Sequence, residues 1–220
     1  MSFQRARSEN QIQDRIQEII DATSSIYNSV GYEGLNFSAI SEYTKFTRPN
    51  IYKYFNTKDE ILLVILKKEF QSFISSLIKS FKINKLYSLY EISEIWADTL
   101  IKHERLLNIY AILFTTIEKN VSVESLSEFK KEMVTIQFQL TDLIVQLFPN
   151  ADNDNIVNFI YSELTLACGL YPMSKLSNLQ MEAIKLSASG YTPPDFRKTY
   201  MACLYQLMYC LQHSIEIKKD

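Results

Sequence analysis

Glycine and proline are scarce in this 220-residue chain, at four and five residues. A β-rich fold needs many such turn residues, so their shortage argues against one and for long helices joined by few loops. Histidine is rarer still: His103 and His213 are the two in the chain and lie far apart in sequence. With no zinc-ligand spacing and no Gly-rich phosphate loop, the usual enzyme signals are missing. No catalytic residue, metal or cofactor is therefore expected. The three cysteines, Cys168, Cys203 and Cys210, cannot all pair within one chain, and no C-x-x-C occurs. They read as buried thiols in a reducing compartment. Long apolar runs are also lacking. The longest purely aliphatic stretch is Ile61 to Leu66, against the ~20 residues of a membrane span. The polar start has no signal-peptide core, so a cytoplasmic chain without membrane contact is expected.

What is present is core-forming material. Hydrophobic residues make up 47% of the chain and aromatics 13%, which excludes disorder and supplies a hydrophobic core without staples. The net charge of −2 argues against a nonspecific nucleic-acid coat. Its distribution says more. Tyr43 through Lys58 carries four cations, Lys45, Arg48, Lys53 and Lys58, and no acid. A short basic window on a mildly acidic protein suits local docking on phosphates.

Periodicity predicts an all-α chain. A first helix is expected from after Ser8 to Val30, with Gly31 beyond its end; Arg5 and Arg7 precede it, in a stretch read as a disordered N-terminus or a minor-groove arm. A short helix over Phe37–Thr44 follows Asn36 as N-cap, and Thr47 caps a third that ends near Phe55, with Pro49 tolerated in its first turn. Thr57 and Glu60 have the form of a capping box opening a long helix with Leu62, Leu66, Phe70, Phe73, Leu77 and Phe81 on its apolar face. Further helices are expected at about 88–102, 105–117, 123–147, 154–170 (ending at a Gly169…Pro172 break), 179–186 and 196–217.

Two short helices with a three-residue connection, preceded by a longer one, make a tri-helical helix-turn-helix pattern. Ile40, Phe46, Ile51 and Phe55 take its inward positions, whereas Arg48, Asn50, Lys53 and Tyr54 point elsewhere. The run "VGYEGLNFSAISEYTKFTRPNIYKYFNTKDEIL", Val30 to Leu62, resembles the N-terminal domain of TetR-family regulators almost position for position, with Tyr52-x-x-Phe55-x-x-Lys58 behind a Thr-capped helix as its most specific part. Three positions depart from the family pattern. Lys45 stands where Gly is usual, Ser41 where Ala is usual, and Pro49 in place of a small residue.

The resemblance implies a DNA-binding head, residues 1–57, and a larger helical regulatory and dimerisation domain, residues 58–220. It implies that Thr47, Tyr52, Tyr54 and Lys58 hold phosphates, with Lys45 as an added phosphate-directed cation. Arg48, Asn50 and Lys53 would meet base edges, Ser38 would join them, and Pro49 would remove one backbone donor at that face. The chemistry agrees, since Arg suits guanine O6/N7, Asn suits adenine N6/N7, and hydroxyls with Lys suit phosphate oxygens. An ordinary solvated role, or packing within the head for Tyr52, is the plain alternative.

The family also implies a homodimer on a palindromic operator in double-stranded DNA and a small apolar or aromatic ligand. Trp96, His103, Tyr110, Phe114, Phe138 and Tyr161 are the candidates for lining a ligand cavity, against the plainer role of core aromatics. Two late helices are the candidates for the dimer interface, through Ile156, Phe159, Ile160, Glu163, Leu164 and Ala167 on one and Tyr200, Leu204, Leu207, Met208 and Leu211 on the other. The function expected is that of a ligand-responsive, sequence-specific transcriptional repressor. The competing reading is a coactivator or DNA-organising protein that keeps the head but works through a partner.

Overall fold

A computed structural model describes the backbone of residues 2–82 and 84–213, and the side chains from residue 9 onward within them. The side chains of Arg5 and Arg7, and the expected extension of the last helix beyond residue 213, lie outside the described residues. Among those residues the chain is all-helical, and no helix is long and apolar enough to cross a membrane. The chain forms two compact units, one of residues 1–68 and 112–132, the other of residues 69–111 and 133–220.

The first unit begins with α1, Ser2–Gly34, whose backbone turns at Gly31 (φ 69°). That left-handed conformation suits glycine and ends the regular winding where the sequence predicts it. Its buried stripe of Ile19, Ile20, Ala22, Thr23, Ile26 and Tyr27 follows helical spacing, and the Thr23 hydroxyl satisfies itself on the Ile19 carbonyl at 2.7 Å. α2, Phe37–Tyr43, starts at Asn36, whose side chain accepts the Ala39 N–H at 3.0 Å. α3, Arg48–Ile51, starts after Thr47 with Pro49 in its first turn. It stops earlier than the sequence suggests. Beyond Ile51 the Lys53 and Tyr54 amides bond three residues back, to Asn50 and Ile51, in tighter 3₁₀-like turns, while the Phe55 amide returns to a bond four residues back, on Ile51. Ile40 and Ile51 are fully buried and Phe55 nearly so, while Phe46 is half-buried.

α4, Lys58–Ser80, opens with the Thr57 hydroxyl accepting the Glu60 N–H at 3.2 Å. Its Glu60 side chain does not close the capping box on Thr57 but reaches the Asn56 N–H at 2.7 Å. The residues of α4 through Lys68 belong to the first unit and the rest to the second. The same holds for α7, Val123–Leu147, which passes from one to the other after Glu132.

The second unit also contains α5, Leu89–Leu100, with a complete capping box between Ser88 and Glu91, and α6, Glu104–Ala111. α6 is shorter than its expected helix to residue 117. After it the Ile117 and Glu118 amides bond five residues back, to Ile112 and Leu113, a widened turn that leads into the 3₁₀ turn Ile117–Lys119 of the first unit. α8, Asn153–Ser174, runs straight through Gly169 and Pro172, where the sequence predicts a break. Tertiary packing explains the difference. Tyr171 is buried and meets Phe196 edge-to-face at 5.3 Å, and that contact holds the last turn despite the lost proline N–H. α9, Asn178–Ser187, has its own Ser177–Gln180 capping box but buries no residue. α10, Phe196–His213, packs against α5 and α8, and α6 also packs on α8.

The cysteines depart from expectation in part. Cys168 is buried, Cys203 is half-buried and Cys210 is exposed, all three as free thiols. Burial pushes the Cys168 thiol up to about 12, which makes it inert at neutral pH.

Candidate nucleic-acid interface

The buried face of α2 and α3 is apolar, through Phe37, Ile40 and Ile51, so the remaining face of this pair is left to polar side chains. Lys45, Thr47, Arg48, Pro49, Tyr52 and Lys53 are all exposed, and Ser38, Asn50 and Tyr54 are half-buried. Arg48 reaches from α3 to α2, where its Nη1 donates to the Ser38 Oγ at 3.1 Å. Two residues assigned to the DNA face from different helices are thereby joined, and the guanidinium keeps further donors in a fixed fork. The Tyr52 ring packs edge-on against Phe37 at 4.7 Å yet remains 57% exposed. Packing and an accessible hydroxyl coexist in this residue.

Other side chains of the set are tied into the head. The Tyr54 hydroxyl accepts from the Arg15 Nη1 at 3.4 Å. The Lys45 N–H donates to the Glu18 carboxylate at 3.2 Å, which fixes the α2–α3 turn from α1 without the glycine usual there. Lys58, expected at a phosphate, has its ammonium on the Tyr32 carbonyl at 2.9 Å and 3.8 Å from the Tyr32 ring centroid. It satisfies a carbonyl at the end of α1 and is half-buried. Sequence reasoning passed over Arg15, Glu18 and Tyr43, the last 65% exposed at the end of α2. Arg15 and Glu18 act on residues 39 and 27 positions away, and no local pattern signals such pairings.

The six ligand candidates have different surroundings. Trp96 is fully buried, edge-on to Phe159 at 5.4 Å. His103 lies against Phe73, with its Nδ1 4.0 Å from the Glu69 carboxylate, and Tyr110 packs edge-on to Phe70 at 5.5 Å. Phe138 and Tyr161 are 63% and 65% exposed, and Phe114, which belongs to the first unit, is 56% exposed. Helical spacing placed these rings on helices but did not show which way each face turns. One hollow of the second unit, about 190 Å³, is instead bounded by Leu89, Ile92, Leu147, Phe148 and Leu211 among others.

The dimer candidates lie mostly inside the chain's own core. Ile156, Phe159, Ile160, Glu163, Leu164, Ala167, Tyr200, Leu204, Met208 and Leu211 are buried within the single chain, and Leu207 is half-buried. They form the core between α5, α8 and α10. Glu163, 1% exposed, accepts from the Tyr200 hydroxyl at 2.7 Å and the Trp96 indole at 3.4 Å. Burial pushes its carboxyl up to about 7 against the pull of those two donors. The faces of these helices that remain open carry Val157, Tyr161 and Met173 on α8 and Tyr205 and Tyr209 on α10.

Comparison with known proteins agrees with this architecture. Residues 19–65 match the family model for bacterial regulatory proteins of the tetR family, and residues 67–212 match that for the tetracyclin repressor-like C-terminal domain. A search of curated proteins returns no match in sequence. Among solved structures, the TetR regulator SCO7222 from Streptomyces coelicolor superposes with a TM-score of 0.54 at 14% identity, over 91% of this chain and 98% of that one. The fatty acid degradation regulator FadR from Bacillus halodurans gives 0.50 at 17% identity, over 88% and 94%. At these identities the structures speak for the fold, whereas the two family models account for both the helix-turn-helix head and the helical body. The chain belongs to the TetR family of bacterial transcriptional regulators.

Proposed function

We propose that this regulator is a dimeric repressor that reads a palindromic operator and is released from it by a small apolar or aromatic ligand. The observation that carries the reading is the Arg48–Ser38 pair, an exposed guanidinium at the start of α3 braced by a hydroxyl from α2. A braced guanidinium matches guanine O6 and N7, and Asn50 and Lys53 beside it extend the base-reading set. Lys45, Thr47, Tyr52 and Tyr54 are the proposed phosphate contacts. Residues 1–57 then act as the DNA-binding domain and residues 58–220 as the regulatory one, in the cytoplasm.

A second copy of the chain is the proposed partner for the open faces of α8 and α10. α9 adds Leu179, Met181 and Leu186, all exposed. These exposed apolar side chains are the surface offered to that partner. Dimerisation sets the distance between two recognition helices, which must match half-sites roughly 34–36 Å apart. A ligand that favours another spacing lowers DNA affinity by shifting populations.

Selection of bound DNA from a random pool, at moderate salt, tests the reading. Enrichment of a palindrome is expected. A folded dimer that enriches no sequence would remove it and favour action through a protein partner.

A further inference from the structure

Two consecutive acids at the start of α4, Asp59 and Glu60, are both buried. They face different segments of the first unit. Asp59 accepts the Tyr32 hydroxyl at 2.9 Å, which ties α4 to the end of α1. Glu60 turns in two directions. On one side it accepts the Asn56 N–H at 2.7 Å and the Asn56 side-chain amide at 3.3 Å. On the other, the Ser122 and Ser125 hydroxyls each lie 3.0 Å from its Oε1. Ser122 also accepts the Ser125 N–H at 3.2 Å, and its carbonyl takes the Leu126 N–H, so it stands as the N-cap of α7. A single carboxylate thus joins the residue that follows the recognition winding to the first turn of α7.

A groove of about 270 Å³ lies where Tyr54, Phe55, Leu63, Val64 and Phe129 face one another. Glu60 and Ser125 lie on its wall, with the Lys67–Glu132 ion pair also on its lining. Burial would push the Glu60 carboxyl up, but the Asn56 and serine donors outweigh it and hold it below the ordinary value. The tie is therefore charged, and charge-assisted, at neutral pH.

We propose that Glu60 is a positioning residue that holds the exit of the DNA-reading helix, Tyr52–Asn56, against the N-cap of α7, so that displacement of α7 reaches this exit directly. The proposal rests on the DNA-reading role given above and adds to it a route through α7 beside the covalent one through α4.

Backbone hydrogen exchange on the full chain tests it, comparing wild type with S122A/S125A, S122T/S125T and E60Q. The alanine pair removes the donors and leaves every residue of α2, α3 and α4 in place. Exchange over residues 47–56 is expected to rise about tenfold in that variant, with residues 15–27 unchanged. The threonine pair, which keeps both hydroxyls, should restore protection. On DNA selected with the wild type, affinity should fall while the salt slope stays the same, because no phosphate contact is lost. Unchanged exchange over 47–56, or a rise spread equally over the whole unit, would overturn the proposal. If S122A/S125A does not fold, E60Q decides by the same readings. A wild type that selects no DNA would remove the function proposed above, while the exchange data would still decide the tie.

Discussion

Glu60 in the first unit and Glu163 in the second are the two buried glutamates among the described residues, and their surroundings drive them apart. Glu60 sits where two chain segments meet, within reach of the Asn56 backbone and side-chain amides and two serine hydroxyls. Glu163 sits in a core of Trp96, Phe159 and Tyr200 with two donors. Burial raises both. Hydrogen bonds reverse the outcome for Glu60 and fail to reverse it for Glu163. Glu163 is the more deeply buried and has the fewer donors, so whether a buried acid keeps its charge depends on the balance of desolvation against the donors supplied to it. The first unit keeps an ionised clamp, and the second keeps a carboxyl whose value lies near neutrality.

The largest expected effect comes from changing pH. Glu163 has a folded value of about 7 against an ordinary 4.5, so between those values the folded state binds more protons than the unfolded one. Its contribution to stability is complete below the unfolded value and is lost as pH rises through the folded one. Denaturant unfolding should show the second unit weaker by about 3 kcal/mol at pH 8 than at pH 4.5 through this group. Glu163→Gln should remove that dependence, and an equal slope in the variant would refute the assignment. Glu60 has the opposite sign, since its lowered value makes its contribution present at neutral pH and lost as pH falls through that value.

Truncating the clamp comes next. Glu60→Ala should cost roughly 2–3 kcal/mol of stability at pH 7, because amide and hydroxyl donors lose a charged acceptor. The loss should fall on the first unit in residue-resolved exchange. Arg48→Ala tests the exposed polar layer of the same head. It should leave unfolding unchanged but weaken binding to the selected operator by ~2 kcal/mol and relax preference at one base pair. Uniform weakening on all sequences would assign Arg48 to a phosphate. Ser88→Ala, in the second unit, removes the N-cap of α5 and should cost about 1 kcal/mol without changing intrinsic DNA affinity measured below the unfolding range.

Much of the head was legible because its signals are local. Asn36 and Thr57 cap helix starts through their side chains, Thr47 holds the N-cap position of α3 without a side-chain bond, Gly31 stands at a left-handed turn, and Ile40, Ile51 and Phe55 lie on an inward stripe. The candidate site was less so. Lys58 was assigned by its place in a motif, but a carbonyl and a ring of Tyr32, 26 residues away, hold its ammonium. Arg15 and Glu18 enter the site from α1 with no pattern to announce them.

The body shows the same division more sharply. Periodicity located α8 and α10 as apolar helices, yet every residue chosen from them for a partner, except half-buried Leu207, is buried in the chain's own core. A helix of alternating large residues offers more than one apolar stripe, and which one turns inward depends on its neighbours. The sequence by itself determined the starts of α2, α3 and α4, the all-helical class and the family, but not the start of α1, which begins at Ser2 and not after Ser8. Capping, winding and glycine conformation act within a few residues and leave their mark on the local order of the chain. Only the tertiary structure decided the run of α8 through Pro172, the protonation of Glu163 and the grip of Glu60 on α7, because each depends on groups brought together from distant parts of the chain.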